Sequence, residues 1–181
     1  MPSPYAHVIA GGILAMPFLK NKTTMRQHRE DIATLMGFSL AADLDVLPAL
    51  LMQDIQAYHN QISHSILFGI GASLAYAGLR YLLPNPKPFG RIFSLGAIAY
   101  GLHILMDAFT HGRGVMLFWP ISQTRFQPPF VIFYGLRHSE GWFSYHHLIT
   151  LATESITMLP LLALGWLIVK KADTTYSKKH G

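Results

Sequence analysis

The chain has 181 residues, of which 51% are hydrophobic and only 13% are charged, and its formal net charge is +5 at pH 7. The charged share is about half that of a typical soluble domain, and the length favours a single domain. The absence of cysteine excludes disulfides and thiolate metal sites, and the basic residues lack the aromatic interleaving of a nucleic-acid-binding surface. We therefore expect a protein embedded in membrane lipid, with no nucleic-acid partner; the alternative is a soluble helical protein with a very apolar core.

The apolar segments predict an all-α integral-membrane bundle of about five helices. Two of them, residues 62–83 and 148–169, are long enough to span the hydrocarbon core of a bilayer. The predicted helices cover residues 5–19, 32–52, 62–83, 92–111 and 147–170. We expect one membrane-embedded domain over residues 1–171, which contains a long aromatic loop at 112–146 and is followed by a polar cytoplasmic tail at 172–181.

The basic residues predict the orientation of these helices. Eleven of the 14 fall in the 20–31 loop, in the 80–91 turn or from residue 170 onward, and the helix order places these three regions on one side of the membrane. An excess of Lys and Arg marks the cytoplasmic side. This distribution predicts a multi-pass protein with its N-terminus outside and its C-terminus in the cytoplasm.

The first two predicted helices carry polar residues toward the outer side. His7 lies at the start of the first helix, and Asp43 and Asp45 lie in the outer half of the second, shortly before Pro48. Proline disfavours helical geometry, so a broken helix would let both carboxylates face one pocket. There they would bridge metal ions or act as a general base; the alternative is a helix boundary with ordinary surface acids.

The turn before the third helix and the fourth helix add further candidate ligands. His59 and His64 flank the start of helix three, where Ser63 is the predicted N-cap. His103, Asp107 and His111 are spaced i, i+4 and i+8, a spacing that drifts by only about 40° per step and keeps the side chains on one stripe of a helix. Two imidazoles and a carboxylate on one stripe are typical of a zinc site. The alternative is a helix-end cluster of satisfied polar residues.

The aromatic loop and the last helix complete the set. The 112–146 loop is rich in Trp and Tyr, which concentrate at membrane interfaces, so we interpret it as a cap over the outer ligand cluster. Trp119 is a candidate for substrate contact, and Arg113 and Arg137 are candidates for binding an anionic group; snorkelling anchors are the equal alternative for the arginines. Glu154 is the acid within the last apolar segment and is a candidate ligand.

The order of these motifs resembles a known family. His7, Asp43-Leu44-Asp45, the pair His59 and His64-Ser65, the run from His103 to Thr110, and Phe118-Trp119-Pro120 follow one another as in the YdjM-like (LexA-regulated) proteins. The resemblance covers about residues 6–155 and implies a bacterial inner-membrane, metal-dependent hydrolase. The ligand order is also similar to that of the zinc-dependent phospholipases C, although Thr150 stands where their last motif, His-x-x-x-Glu, would place a histidine before Glu154.

These observations lead us to expect a membrane-bound hydrolase with two or three zinc ions, or with manganese or iron. The expected metal ligands are His7, Asp43, Asp45, His59, His64, His103, Asp107, His111 and Glu154, and Asp43 and Asp45 are also the expected catalytic residues, which bridge metal ions or act as the general base. A phosphoester, for example in a lipid headgroup, is the expected substrate. The alternatives are a divalent-cation transporter or channel and a non-enzymatic membrane scaffold with a structural metal.

Overall fold

A computed structural model describes residues 1–52, 59, 61–136 and 144–180. Within these residues the protein has seven α-helices and no β-strand, which confirms the all-α class. The helices are α1 Pro4–Ala15, α2 Lys22–Gln27, α3 Arg29–Phe38, α4 Val46–Leu51, α5 Ile66–Leu82, α6 Phe89–Ala108 and α7 His146–His180. Three short 3-10 turns lie at Met16–Phe18, Ala41–Asp45 and Ile62–His64.

Helix α6 is the central element of the bundle. It packs against α5, α3 and α1, and α1 also packs along α7. Small residues permit the close approach: a Cβ on Gly96 would lie 3.2 Å from the Ser73 side chain and 3.3 Å from Phe38. Tyr100 and Ile104, on the same stripe of α6, are buried in one apolar cluster, and Met106 is buried in a second cluster on another side of the helix.

Helices α1 and α7 run in the same direction. Ser3, which precedes α1, donates its backbone N–H to Glu154 at 2.6 Å, and one helix length further on Met16 lies against Gly165. The bundle therefore has two distinct ends. We call the end that holds His7 and Asp107 the histidine end, and the opposite end, which holds Arg80 and Arg91, the basic end.

Ion pairs join the elements at the basic end. The Arg91 guanidinium donates to both carboxylate oxygens of Asp31 at 3.0 and 2.6 Å, and His28 Nδ1 lies 2.7 Å from the same carboxylate. Arg80 donates to Glu30 at 2.8 Å. Burial raises the pKa of Asp31, but the hydrogen bonds from Arg91 and His28 outweigh burial and hold the pKa below its ordinary value. The network ties the start of α3 to α5 and α6, so the predicted 20–31 loop and 80–91 turn do lie together.

Two helices are long and apolar enough to cross a membrane by length and composition. They are α6 and the part of α7 from His146 to Ala172; in α7 only 11% of that window is buried inside the protein. The apolar segment Pro4–Phe18 and helix α5 are shorter. The described residues therefore contain two candidate spans, and the full set of five spans remains a prediction.

Several predicted helix boundaries are wrong. The helix predicted over 32–52 ends at Phe38, well before Pro48, because the Ser39 hydroxyl bonds back to the Met36 carbonyl at 2.7 Å and the chain then enters a 3-10 turn. The N-cap of α5 is Ser65, whose hydroxyl accepts from the Phe68 N–H at 3.2 Å, and the predicted cap Ser63 lies in the preceding turn.

The third boundary is the end of α6, which stops at Ala108 and not at His111. Thr110 bonds back to the Met106 carbonyl at 2.8 Å and pairs with Phe133 in an isolated β-bridge, which takes the chain off the helix axis. The end of the last helix, predicted at residue 170, is also wrong. Helix α7 continues through the polar tail to His180, because that segment has no helix-breaking proline or glycine before Gly181.

The segment after α6 folds back over the histidine end. Val115 and Phe126 form a two-way β-bridge, and the Thr150 hydroxyl donates to the Gly135 carbonyl at 2.7 Å. Gly135 has a φ of +81°, and a Cβ there would lie 2.5 Å from a Thr110 methyl, so this contact requires glycine. The described part of the aromatic loop is thus held against α6 and α7, as a cap would be.

Candidate metal centre

Helix α6 supplies the first two side chains of the site. His103 and Asp107 are one helical turn apart, both almost fully buried, with His103 Nε2 lying 3.5 Å from Asp107 Oδ2. His103 Nδ1 lies 2.7 Å from the Ser39 carbonyl, which can only accept a hydrogen bond. Nδ1 must therefore carry the proton, and the lone pair of Nε2 points into the site.

Helix α1 and the 3-10 turn after α3 bring two further ligands. The His7 ring stacks on His103 with 3.8 Å between ring centroids, and His7 Nε2 lies 3.3 Å from Asp107 Oδ1. Asp43 Oδ1 lies 3.5 Å from His103 Nε2. His7, Asp43, His103 and Asp107 each offer one ligand atom, and these atoms all lie within 4.8 Å of one another.

His64 is a fifth member of this inner group. Ser63 donates its hydroxyl proton to Asp45 Oδ2 at 2.5 Å, so its oxygen is left to accept from His64 Nδ1 at 2.9 Å. That arrangement leaves the lone pair of His64 Nε2 facing His103 Nε2 at 3.3 Å and Asp107 Oδ2 at 2.8 Å. Two imidazole lone pairs cannot bond to each other, and a carboxylate repels both, so this geometry requires a proton or a cation between them.

The inner group contains buried atoms with no hydrogen bond. Both ring nitrogens of His7 and all four carboxylate oxygens of Asp43 and Asp107 lack a hydrogen-bond partner among the described residues. Leaving such atoms bare in an apolar interior costs about 1–3 kcal/mol each, and more when they are charged. Three imidazoles and two carboxylates are a donor set that suits zinc and also manganese or iron. The residues present therefore fit a divalent metal ion.

Asp45 and His59 form an outer pair beside the inner group. His59 Nδ1 contacts Asp45 Oδ1, and the carboxylate can only accept, so His59 carries its proton on Nδ1. The other ring nitrogen of His59 faces the Met1 sulfur. Through Ser63, the carboxylate of Asp45 also fixes the orientation of His64. Asp45, the second predicted carboxylate, thus lies next to the inner group and is linked to it through Ser63.

Both carboxylates of the 3-10 turn are held in the charged form. Burial raises the pKa of Asp43, but the neighbouring His103 and His64 rings outweigh burial and lower it well below its usual range. Burial acts on Asp45 in the same way and is outweighed by His59 and His64. Charged oxygens are the form that binds a cation or accepts a proton.

A cleft of about 900 Å³ leads to Asp45 of the outer pair. Asp45 and Ser63 line it together with Trp119 from the cap and apolar side chains such as Leu44 and Phe68. The side chains of His64 and Asp107 are fully buried behind it. The arrangement separates a closed inner group from Asp45, which a ligand in the cleft can reach.

The remaining predicted site residues lie elsewhere or outside the described residues. His111 is exposed and is not brought to the group, because α6 ends before it. Glu154 is buried and binds the backbone N–H and hydroxyl of Ser3, so it anchors the segment before α1. Arg113 is exposed and reaches the His59 carbonyl at 3.5 Å. Arg137 lies outside the described residues.

Two positioning contacts of the site are not apparent in the sequence. The Ser39 contact is made by a backbone carbonyl, which any residue type provides. The sequence predicts Ser63 as a helix N-cap. In the structure Ser63 instead donates to Asp45, and this contact depends on the break between α3 and α4 that brings Asp45 close to it. Tyr100 adds support by donating its hydroxyl to the Ser63 carbonyl at 2.7 Å.

Comparison with known proteins gives one match. The model of the family described as YdjM inner membrane protein matches residues 1–175, almost the whole chain. No curated protein and no solved structure gives a significant match. Because the family model covers nearly the whole chain, including both candidate spans and every residue of the inner group, we conclude that this chain belongs to the YdjM inner membrane protein family.

Proposed function

We propose that this protein is a membrane-bound, metal-dependent hydrolase that acts on a phosphoester, such as one in a lipid headgroup. The observation that carries the proposal is the inner group itself. Two imidazole lone pairs 3.3 Å apart converge with two buried carboxylates whose oxygens accept no hydrogen bond from the described residues. A proton on one ring would relieve the contact between the two histidines, but a metal ion would satisfy the histidine nitrogens and the carboxylate oxygens together, which is why we favour it.

The inner group is proposed to hold one ion through His7, His64, His103, Asp43 and Asp107. The number of ions, two or three in our prediction, then depends on the outer pair, where Asp45 and His59 would ligate a second. A divalent cation in this position supplies a Lewis acid that activates water and stabilises negative charge developing on a substrate.

The chain's own residues would divide the remaining tasks. Asp45 is charged, lines the cleft and is held by Ser63 and His59, so it is placed to accept a proton at one of its carboxylate oxygens from a water in the cleft. His59 donates its Nδ1 proton to Asp45 Oδ1 and would fix the orientation of that carboxylate. Asp43 faces the inner histidines and would hold the cation.

The cleft favours an amphipathic substrate. Its lining is largely apolar and includes Trp119, whereas Asp45, Ser63, Gln61 and Gln123 supply polar groups. Arg113, beside His59, would attract the phosphate of such a substrate. A lipid phosphoester has both features, because its headgroup is charged and its chains are apolar.

Elemental analysis of the purified protein tests the metal. We expect at least one equivalent of zinc, manganese or iron, which His103→Ala and Asp107→Asn remove while Asp31→Asn, at the basic end, retains it. Protein that contains no such metal and binds none after reconstitution would exclude the proposal.

Activity requires a separate assay. Metal-loaded protein is expected to hydrolyse bis(p-nitrophenyl) phosphate or phosphatidylglycerol, and Asp45→Asn is expected to lower the rate by about 10²-fold or more while the inner ion stays bound. If Asp45→Asn keeps full activity, Asp45 is not the proton acceptor; if no phosphoester is turned over, the hydrolase proposal fails.

A structural metal in a non-enzymatic membrane protein is the second candidate. The observation that favours it is the near-complete burial of the inner group, whose five side chains would fill the coordination shell of one ion. Cobalt substitution separates the two. A visible spectrum that changes when phosphate is added indicates an open position and supports the hydrolase, whereas an unresponsive spectrum supports the structural role.

The orientation in the inner membrane also remains a proposal. We propose that the histidine end faces the periplasm and the basic end the cytoplasm, because arginines and lysines gather at the basic end. A reporter fused after Lys179 is expected to be active only in the cytoplasm, and an external signal would reverse the assignment.

A further inference from the structure

A second feature lies near the basic end, away from the metal group. A groove of about 630 Å³ runs between the end of α1 and the second half of α7. Its walls are apolar, with Gly12, Met16, Leu159 and Leu162 among them. A Cβ on Gly12 would meet nothing within 4 Å, so the groove is open to its surroundings at this point.

The polar groups of the groove gather at one end. Lys20 follows the 3-10 turn after α1, and Lys170 lies on α7 at the matching level, since the two helices run in the same direction. Trp166 lies beneath Lys170, whose ammonium is 4.9 Å from the ring centroid. An apolar groove that ends at two lysines and a tryptophan has the distribution of charged and aromatic residues that is typical of a membrane interface.

Helix α7, which forms one wall, packs along α1 but leaves most of its apolar surface uncovered by the rest of the protein. Only 11% of the apolar window of α7 is buried, and Leu159, Trp166 and Leu167 are all about half exposed. In a membrane, lipid chains cover such an apolar surface, so one acyl chain can bind in the groove without a change in the protein.

We propose that this groove binds an anionic phospholipid, with an acyl chain along the apolar walls and the phosphate between Lys20 and Lys170. Charge complementarity favours the anionic class, because each basic residue near a membrane surface attracts acidic lipid. The site is separate from the metal group and does not depend on the proposed hydrolase activity.

Fluorescence quenching tests the site with a defined probe. In the W119F/W142F variant, Trp166 is the remaining tryptophan of the chain. The protein is reconstituted in phosphatidylcholine vesicles that contain either phosphatidylglycerol or phosphatidylcholine with brominated chains. We expect brominated phosphatidylglycerol to quench Trp166 at lower mole fractions than brominated phosphatidylcholine. Equal quenching by the two lipids would overturn the proposal.

Lysine variants locate the headgroup. K20A/K170A is expected to reduce the preference for phosphatidylglycerol by about fivefold for each lysine. The matched control is K22A/K171A, which removes the same charge from exposed positions that do not line the groove. If the control lowers the preference as much as K20A/K170A, the attraction is general to the basic end and the proposed site is wrong.

A further experiment distinguishes binding of a phospholipid from binding of free phosphate. Inorganic phosphate added to the vesicles is expected to leave the quenching by brominated phosphatidylglycerol unchanged, because the chain supplies part of the binding. Relief of quenching by phosphate alone would mean that only the headgroup charge is recognised and would overturn the lipid assignment. Metal content, measured in the same samples, reports on the metal centre independently.

Discussion

The two ends of the bundle place charged groups in an apolar chain in opposite ways. At the basic end, Asp31 and Glu30 are met by guanidinium groups, which are always charged, at hydrogen-bond distances. At the histidine end, Asp43 and Asp107 face histidine rings, two of whose lone pairs converge. At the basic end the carboxylates therefore already have partners, whereas at the histidine end buried oxygens and nitrogens of the described residues lack hydrogen-bond partners, as we expect of a cation-binding site.

The difference shows how to distinguish a structural ion network from a binding site. Clusters of acidic residues with basic partners occur in both kinds of region, so the mere presence of charge is uninformative. The informative feature is whether the buried oxygens and nitrogens already have partners. Metal loading should therefore change the stability of the histidine end and leave the basic end unaffected.

The largest expected effect is stabilisation by zinc. Zinc at about a hundred times its Kd contributes about 2.7 kcal/mol, which should raise the unfolding temperature of a protein of this size by about 5–11 °C. Asp107→Asn should abolish this shift, because it removes a negative ligand from the inner group. Thermal unfolding in detergent, with and without zinc, measures both. An equal zinc shift in Asp107→Asn would show that the ion binds elsewhere.

A packing variant should damage the support of the metal centre. A Cβ on Gly69 would lie 2.6 Å from the Tyr100 ring, so Gly69→Ala should displace the tyrosine that holds the Ser63 carbonyl and cost about 1–3 kcal/mol. Gly71→Ala is the matched control on α5, because its Cβ meets nothing within 4 Å, and it should be neutral or stabilise by up to about 1 kcal/mol. Equal unfolding temperatures for the two variants would contradict the packing described here.

A smaller effect is expected at the basic end. Asp31→Asn should cost about 1 kcal/mol, because Arg91 is partly exposed and solvent weakens the pair. The pKa of Asp31 is lower in the folded protein, so its contribution should be fully present above the ordinary aspartate pKa of about 3.9 and be lost as the pH falls through the folded value. Unfolding of the parent and of Asp31→Asn, compared over this pH range, checks the sign. The zinc shift of Asp31→Asn should equal that of the parent.

The smallest effect is expected at His111. It lies beyond the end of α6 and is exposed, so His111→Ala should leave the metal content unchanged, in contrast to His103→Ala. Elemental analysis of the two variants makes the comparison. Loss of metal from His111→Ala would mean that the segment after α6 rearranges to reach the ion.

Much of the candidate site could be predicted because spacing within a helix fixes relative position. His103 and Asp107 share a helix face whatever the rest of the chain does, and the structure brings both into the group. The same spacing argument does not hold for His111, because the helix ends at Ala108. Helix ends depend on contacts such as the pairing of Thr110 with Phe133. The break after Phe38 also depends on such a contact, since the serine that bonds back to the helix also gives its carbonyl to His103.

The amino-acid sequence by itself determined the helical class, the apolar character and the separation of basic residues from histidines, because each follows from local composition and from the periodicity of the helix. Only the tertiary structure decided that Asp43 and His64, which are 21 residues apart, face the same point, and that Glu154 binds Ser3 and lies outside the metal group. The physical reason is that ligation requires atoms from separate helices to converge within a few ångströms. That convergence is set by packing around α6, by the position of one helix break and by the hydrogen bonds that aim each imidazole.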